Sequence, residues 1–195
     1  MTRADAPPVR GRTLWDPLSA GAAAAVGAIV GVPTPPGAPD VVLLDARAVP
    51  TDPAGLRTLA RATGPDAGDL QVCRTYRYPF ALVTWHEGRV GVDLERVIPY
   101  DRQFADAILT PDERVTGAVP SSRAERDRWC TAQWSGKEAL SKALGDALLY
   151  DPRRLEGPAG WRDGRSGPWR ATELTVPAGH VGWLVWWAGD ARAAG

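Results

Sequence analysis

The sequence lacks several features that would define common classes of protein. Its 195 residues include two cysteines, Cys73 and Cys130. They are too few for a disulfide scaffold and form no C-x-x-C pair, so a reducing cytoplasm is the expected location. Lys plus Arg and Asp plus Glu each number 23, which gives a net charge of zero. That balance argues against a general nucleic-acid-binding protein.

Long hydrophobic runs are also missing. The main candidate is LSAGAAAAVGAIVGV, residues 18–32, which consists mostly of alanine and glycine. It is shorter than the ~20 residues that a bilayer-spanning helix needs, and we do not interpret it as a secretory signal. We predict instead a helix of small residues that leads into a buried strand, with no association with a membrane.

The usual catalytic side chains are sparse. The two histidines, His86 and His180, fall in predicted turns and have no partner at metal-ligand spacing. Ser135 and Ser141 have no histidine beside them, so the sequence gives no support for a serine hydrolase. Cys130 lies in a predicted buried helix and is interpreted as a core residue. A glycine-rich phosphate loop is absent from the sequence.

Local patterns predict a mixture of helices and antiparallel strands. A buried strand over residues 41–49 precedes a helix that starts at an Asp52 cap and stops at Gly64. A second helix begins at Thr110, and a long helix covers about residues 122–149. Two β-hairpins are predicted, FALVTW-HEGR-VGVDLE and ATELTV-PAGH-VGWLVWW. This order favours an α+β fold with antiparallel sheets over a doubly wound parallel fold.

Two acidic residues alternate along the strand VGVDLE. Asp93 and Glu95 point to the same side of a strand, roughly 7 Å apart. Two carboxylates on one face repel each other. An exposed edge strand tolerates that repulsion, whereas a hard cation such as Mg²⁺ would make use of it. Both interpretations stay open on the residues alone.

A second charged stretch is WSGKEALSK, in the long helix. Glu138 and Lys142 are four residues apart and lie on one helix face, nearly opposite the apolar face that includes Leu140 and Leu144. Such a pair is often no more than a solvated surface, worth a few tenths of a kcal/mol.

The two stretches together resemble a known family. GVDLE followed about forty residues later by WSGKEALSK is similar to the paired motifs (V/I)-G-(V/I)-D-(V/I/L)-E and W-(S/T/C)-x-K-E-(A/S)-x-x-K of the 4′-phosphopantetheinyl transferase superfamily, of the Sfp type. ILTPDERV between them resembles that family's helix opening and would place Glu113. The resemblance extends from about Phe80 to Gly145 and is poor before Phe80.

The resemblance implies a specific reaction. Such enzymes transfer 4′-phosphopantetheine from coenzyme A to a serine of an acyl or peptidyl carrier protein. By similarity, Asp93, Glu95 and Glu138 would hold Mg²⁺, and Glu138 would act as general base on the carrier serine. Lys142 would stabilise the leaving group, with Lys137 nearby.

The part of the family pattern that recognises coenzyme A is altered here. We find no G-K-P segment, and RTYR, with Tyr76, stands where the family has S-H-S. Arg74 and Arg77 are candidates to replace those phosphate contacts, because guanidinium groups bind phosphate well. Arg57 resembles another phosphate-contacting position, although each arginine is also consistent with ordinary surface charge.

The resemblance also implies an architecture. Family members have two similar α+β halves with antiparallel sheets related by a pseudo-two-fold axis, and they work as monomers. Here the halves would be residues 1–79, shortened and divergent, and residues 80–195, which carry the metal-site motifs. The leading hypothesis is a Mg²⁺-dependent transferase serving polyketide or nonribosomal peptide carrier proteins. The alternative is a protein that keeps the fold but has lost this reaction, and either binds a carrier protein or acts on another substrate.

Overall fold

The computed structural model describes residues 29–48, 51–65, 68–116, 119–145 and 150–189. Of the segment 18–32, predicted as a helix of small residues that leads into a buried strand, only residues 29–32 fall within these ranges. They form a strand in which Val32 is buried and Val30 and Gly31 are exposed. The rest of the segment lies outside the described residues. None of the helices in the described ranges is long and apolar enough to cross a bilayer.

The strands form two four-stranded antiparallel sheets. The first sheet has the order β1-β2-β4-β3. Its strands are β1 (Ile29–Val32), β2 (Asp40–Asp45), β3 (Gln71–Arg77) and β4 (Phe80–His86). The second sheet has the order β5-β8-β7-β6. Its strands are β5 (Val90–Arg96), β6 (Arg165–Ser166), β7 (Trp169–Leu174) and β8 (His180–Trp187).

Four α-helices accompany the sheets in the described residues. They are α1 (Pro53–Ala62), α2 (Arg102–Ile108), α3 (Pro111–Thr116) and α4 (Arg123–Leu144). Three short 3-10 helices follow α4, at Pro152–Arg154, Pro158–Gly160 and Arg162–Gly164. The α+β class with antiparallel sheets is therefore confirmed.

Helix ends follow the capping signals in the sequence. The Asp52 side chain accepts a hydrogen bond of 2.7 Å from Gly55 N at the start of α1. Ser122 caps α4, which ends at Gly145 with φ +84°. A left-handed φ of this kind favours glycine, because a Cβ is disfavoured there. The predicted continuation of this helix to residue 149 runs into residues 146–149, which lie outside the described ranges.

The hydrophobic core has several layers. Helix α1 packs on one face of the first sheet, through Leu56, Ala60 and Val83. The two sheets face each other across a second apolar layer that includes Leu82, Val92, Leu94 and Leu184. Helix α4 covers the other face of the second sheet. That outer layer contains Ala139, Leu140, Ala143, Val181 and Val185.

The predicted hairpin of residues 80–95 is wrong, although the C-terminal hairpin of β7 and β8 is confirmed. Strand β4 is already paired on both edges, with β2 and with β3. Strand β5 therefore pairs with β8 in the other sheet. The change of sheet falls between His86 and Val90, later than the expected division of the chain at residues 79 and 80. The pseudo-two-fold relation of two similar halves stays a prediction.

Candidate functional site

Strand β5 separates apolar and polar side chains by simple alternation. Val92 and Leu94 point into the layer between the sheets. Gly91, Asp93 and Glu95 alternate with them and occupy the opposite face, toward α4. The alternation predicted from VGVDLE thus places both carboxylates on the helix side of the second sheet.

Gly91 lets helix α4 approach this face closely. A Cβ built at Gly91 would lie 2.6 Å from Ala143 N and still closer to Ala139 O, so only glycine fits against the helix backbone. This close packing brings the turn of α4 that carries Glu138 and Lys142 beside the acidic face of β5.

Asp93 is the buried centre of the site. It is 2% exposed. Its Oδ1 accepts a 2.6 Å hydrogen bond from Lys142 Nζ and a 3.2 Å hydrogen bond from Thr75 Oγ1. Its Oδ2 is buried and has no hydrogen-bond partner among the described residues. An unpaired buried carboxylate oxygen is costly and marks a place where a further ligand is favoured.

Lys142 stays charged in this setting. Burial works against the charged ammonium, but attraction to Asp93 and the hydrogen bond between them outweigh burial and raise the pKa of Lys142. The same Nζ lies 3.4 Å from the main-chain oxygen of Val92. Lys142 therefore supplies a fixed positive charge beside Asp93.

The negative charge of Asp93 acts on both Glu95 and Glu138. Glu95 is ion-paired with Arg77. Burial raises the pKa of Glu95, the negative charge of Asp93 raises it further, and Arg77 opposes both. Glu138 Oε1 accepts a 2.9 Å hydrogen bond from the Tyr150 hydroxyl. Burial likewise raises the pKa of Glu138, against the Tyr150 hydrogen bond and Lys142, and Asp93 adds to the rise.

The donor chemistry of these three residues suits a hard divalent cation. All the donors are carboxylate oxygens, and one of them, Asp93 Oδ2, is unpaired. The carboxylates come from two different elements, β5 and α4. Within the described residues, however, no three His, Cys, Asp or Glu side chains are already gathered as a metal-binding group. Asp93, Glu95 and Glu138 as a complete set of metal ligands stay a prediction.

Arg74 and Arg77, both proposed for coenzyme binding, lie on opposite faces of strand β3. On one face, Thr75 bonds to Asp93 and Arg77 pairs with Glu95. On the other face, Tyr76 packs in the layer under α1. Arg74 points to that layer too and donates to main-chain oxygens at the end of α1, including Ala60 O at 2.7 Å. Arg77 is thus brought to the carboxylates and Arg74 is not.

Arg57 and Lys137 are also placed apart from the carboxylates. Arg57 is exposed on α1, the helix that covers the first sheet. Lys137 is fully buried. Its Nζ donates to Glu113 Oε2 at 2.6 Å, Ile108 O at 2.7 Å and Pro152 O at 2.9 Å. Since an ammonium has three donors, Lys137 has none left for a ligand.

Two residues at the site were not predicted from the sequence. Thr75 holds Asp93 from the other sheet, and Tyr150 holds Glu138 from the segment after α4. The alternation of β3 would have placed Thr75 on the face of Arg77, but nothing local indicated that this face meets β5. The sequence carries no signal that brings Tyr150 back to Glu138.

A family model matches the part of the chain that carries most of these residues. Residues 89–173 match the family model ACPS, the 4′-phosphopantetheinyl transferase superfamily. The matched segment contains Asp93, Glu95, Glu138 and Lys142 and ends inside β7. No curated protein matches the chain. Residues 89–173, slightly less than half of the chain, are thus similar to the 4′-phosphopantetheinyl transferase superfamily. The α+β architecture with two antiparallel sheets is compatible with the fold of that superfamily.

Proposed function

We propose that this protein transfers 4′-phosphopantetheine from coenzyme A to a serine of an acyl or peptidyl carrier protein, with Mg²⁺ as cofactor. The observation that carries the proposal is the environment of Asp93. One of its oxygens is bound by Lys142 and the other is buried without a partner. A buried carboxylate that already has a cation beside it and still offers an oxygen is suited to sharing a metal ion with an anionic substrate.

The proposed reaction is a phosphoryl transfer. The serine hydroxyl oxygen forms a bond to the β-phosphorus of coenzyme A, and the bond from that phosphorus to adenosine 3′,5′-bisphosphate breaks. Glu138 accepts the proton of the serine, and the ammonium of Lys142 stabilises the negative charge of the departing bisphosphate. Mg²⁺ held by Asp93, Glu95 and Glu138 would neutralise oxygens of the pyrophosphate.

Arg77 is the residue we propose for phosphate recognition on the first sheet. Its side chain is 46% exposed and pairs with Glu95 at the edge of the carboxylate cluster. A guanidinium in this position has donors left for a phosphate. Arg57, Arg74 and Lys137 were candidates on sequence grounds, and their placement gives them no support in this role.

One observation favours a second function. Arg74 is committed to α1, and the sequence lacks the G-K-P and S-H-S segments that such enzymes use for coenzyme A. A protein that keeps the carboxylates of β5 and α4 but has a different pocket would act on another substrate or only bind a carrier protein. We regard transfer from coenzyme A as the better supported function, because Asp93 and Lys142 retain a charge arrangement suited to catalysis.

Mass spectrometry of carrier proteins tests the proposal. Purified protein would be incubated with coenzyme A, Mg²⁺ and a panel of apo carrier proteins from polyketide and nonribosomal peptide assembly. We expect a mass gain of one phosphopantetheine on the carrier, which is lost in Asp93→Asn and kept in Asp69→Asn, a matched change at an exposed carboxylate. No gain on any carrier, together with no coenzyme A binding in calorimetry, would refute the transferase and favour the second function.

We further propose that the enzyme works as a monomer in the cytoplasm. The side chains proposed for the reaction, Asp93, Glu138 and Lys142, all come from one chain, which supports a site that needs no second copy. Light scattering after size exclusion would give the mass of a single chain if this is correct.

A further inference from the structure

We propose that Tyr150 is a positioning residue that fixes the Glu138 carboxylate for metal binding, an inference that depends on the function proposed above. The Tyr150 hydroxyl donates to Glu138 Oε1 at 2.9 Å. Glu138 is the proposed metal ligand from α4, while Asp93 and Glu95 come from β5. A carboxylate on a flexible side chain has to be held in one orientation before it can share a cation with ligands from another element.

The segment that follows Tyr150 is held in place by hydrogen bonds to Lys137 and Glu113. The segment that starts at Tyr150 is tied down at two points. Lys137 Nζ donates to Pro152 O at 2.9 Å, and Gly157 N donates to Glu113 Oε1 at 2.8 Å. Lys137 and Glu113 are bonded to each other at 2.6 Å.

This arrangement gives Lys137 and Glu138 connected roles. They are consecutive in α4 but point in different directions, Lys137 into the interior and Glu138 toward the acidic face of β5. Lys137 anchors the returning segment, and the segment brings Tyr150 to Glu138. The fully buried lysine of the WSGKEALSK stretch therefore acts on the site through Tyr150 and not by contact with a substrate.

The hydroxyl is the only group of Tyr150 that the proposal needs. The half-buried ring fills space in either case. Tyr150→Phe keeps the ring and removes the donor to Glu138, so it separates positioning from packing. Hydrogen-bond partners of metal ligands typically change metal affinity by about 10–100-fold when they are removed. We expect the lower part of that range, about tenfold, because Glu138 is one of three ligands.

The decisive measurement is the dissociation constant for Mn²⁺ in the absence of coenzyme A. It is obtained by titration, with electron paramagnetic resonance reporting the concentration of the free ion. The unmodified protein, Tyr150→Phe and the control Tyr78→Phe would be titrated. Tyr78 is an exposed tyrosine whose hydroxyl donates to Thr51 O at 3.2 Å, outside the site. We expect Tyr150→Phe to bind Mn²⁺ about tenfold more weakly, and the control to bind like the unmodified protein.

The steady-state rates provide a second readout. In Tyr150→Phe the metal concentration needed for half-maximal rate should rise with the dissociation constant, while kcat at saturating Mn²⁺ falls by less. A merely structural role would lower thermal stability and leave the Mn²⁺ affinity unchanged, and that result would overturn the inference. If the unmodified protein bound no Mn²⁺, the proposed function and this inference would both be refuted. Unchanged affinity in Tyr150→Phe alone would refute only the inference.

Discussion

The close approach of α4 to β5 can be tested by adding a single methyl group. In Gly91→Ala the new Cβ would lie 2.6 Å from Ala143 N and nearer still to Ala139 O. Both are main-chain atoms, so no side chain can rotate out of the way. An ordinary contact is between 3.4 and 4 Å, which means that helix and strand must separate by more than about 1 Å to relieve both clashes.

Two consequences follow from that displacement. Overpacking of this kind costs about 1–3 kcal/mol, and we expect the upper half of the range because the clash is with a helix backbone. We expect the reaction rate to be affected more strongly than the stability. Glu138 and Lys142 move with α4 while Asp93 stays on β5, and a misplacement of about 1 Å can reduce a rate about 100-fold.

Gly31→Ala is the matched control for this experiment. Gly31 lies in strand β1, and nothing is within 4 Å of a Cβ built there. Urea unfolding would give the stability of both variants, and the carrier assay would give their rates. We expect Gly31→Ala to be neutral or slightly stabilising, since alanine in a strand costs less chain entropy than glycine. Equal stability and equal rate for the two variants would refute the account of how the helix is placed.

Two further predictions concern the buried and exposed cations. Lys137→Met should lower the free energy of unfolding by about 3 kcal/mol, because it leaves the partly buried Glu113 carboxylate without its cationic partner. Arg128→Gln, at an exposed ion pair, should change that free energy by less than about 1 kcal/mol. Comparable losses in urea unfolding would contradict this. Arg77→Gln should raise the KM for coenzyme A without loss of stability, and Arg74→Gln should lower the melting temperature with KM unchanged. A higher KM in the Arg74 variant would instead place that residue in the coenzyme site.

Local sequence signals located most elements correctly but not their pairing. Asp52 marked the start of α1, and Ser122 stood at the expected start of α4, because capping depends on a few neighbouring residues. The end of α4 was placed too late, at residue 149, although Gly145 was available as a left-handed C-cap. The two apolar runs around residues 87–89 satisfied the same local rules as a hairpin. Whether β4 pairs with β5 depends on which strands already occupy its edges, and that is a property of the whole chain.

Local periodicity likewise predicted the parts of the site but not how they come together. The period of a strand put Asp93 and Glu95 on one side, and the period of a helix put Glu138 and Lys142 on one face. The proposal that these two faces meet came from the family resemblance and not from periodicity. Lys137 was expected near the phosphates, although Leu140 at i+3 is an apolar neighbour on the same side of the helix. That neighbour was a signal for burial.

Leu144 shows the limit of the periodicity argument at a helix end. It was expected on the apolar face with Leu140, but it is 38% exposed while Leu140 is 3% exposed. It is the last residue of α4, and the second sheet no longer covers the helix there. The helical period gives the direction of a side chain, whereas its burial also requires a neighbouring element opposite that position.

The two lysines of this chain lie on different sides of α4, Lys137 toward the interior and Lys142 toward β5. The sequence contains only two lysines, Lys137 and Lys142, among 23 cationic side chains. Both are buried or nearly so, and each is paired with a carboxylate at 2.6 Å, Lys137 with Glu113 and Lys142 with Asp93. An ammonium is a compact charge with three donors, whereas the planar guanidinium of arginine needs a wider, flat set of acceptors. Lys137 thus binds the segment that follows α4, through Pro152 O, and Lys142 binds Asp93 of β5, so two lysines five residues apart in one helix contact different parts of the fold.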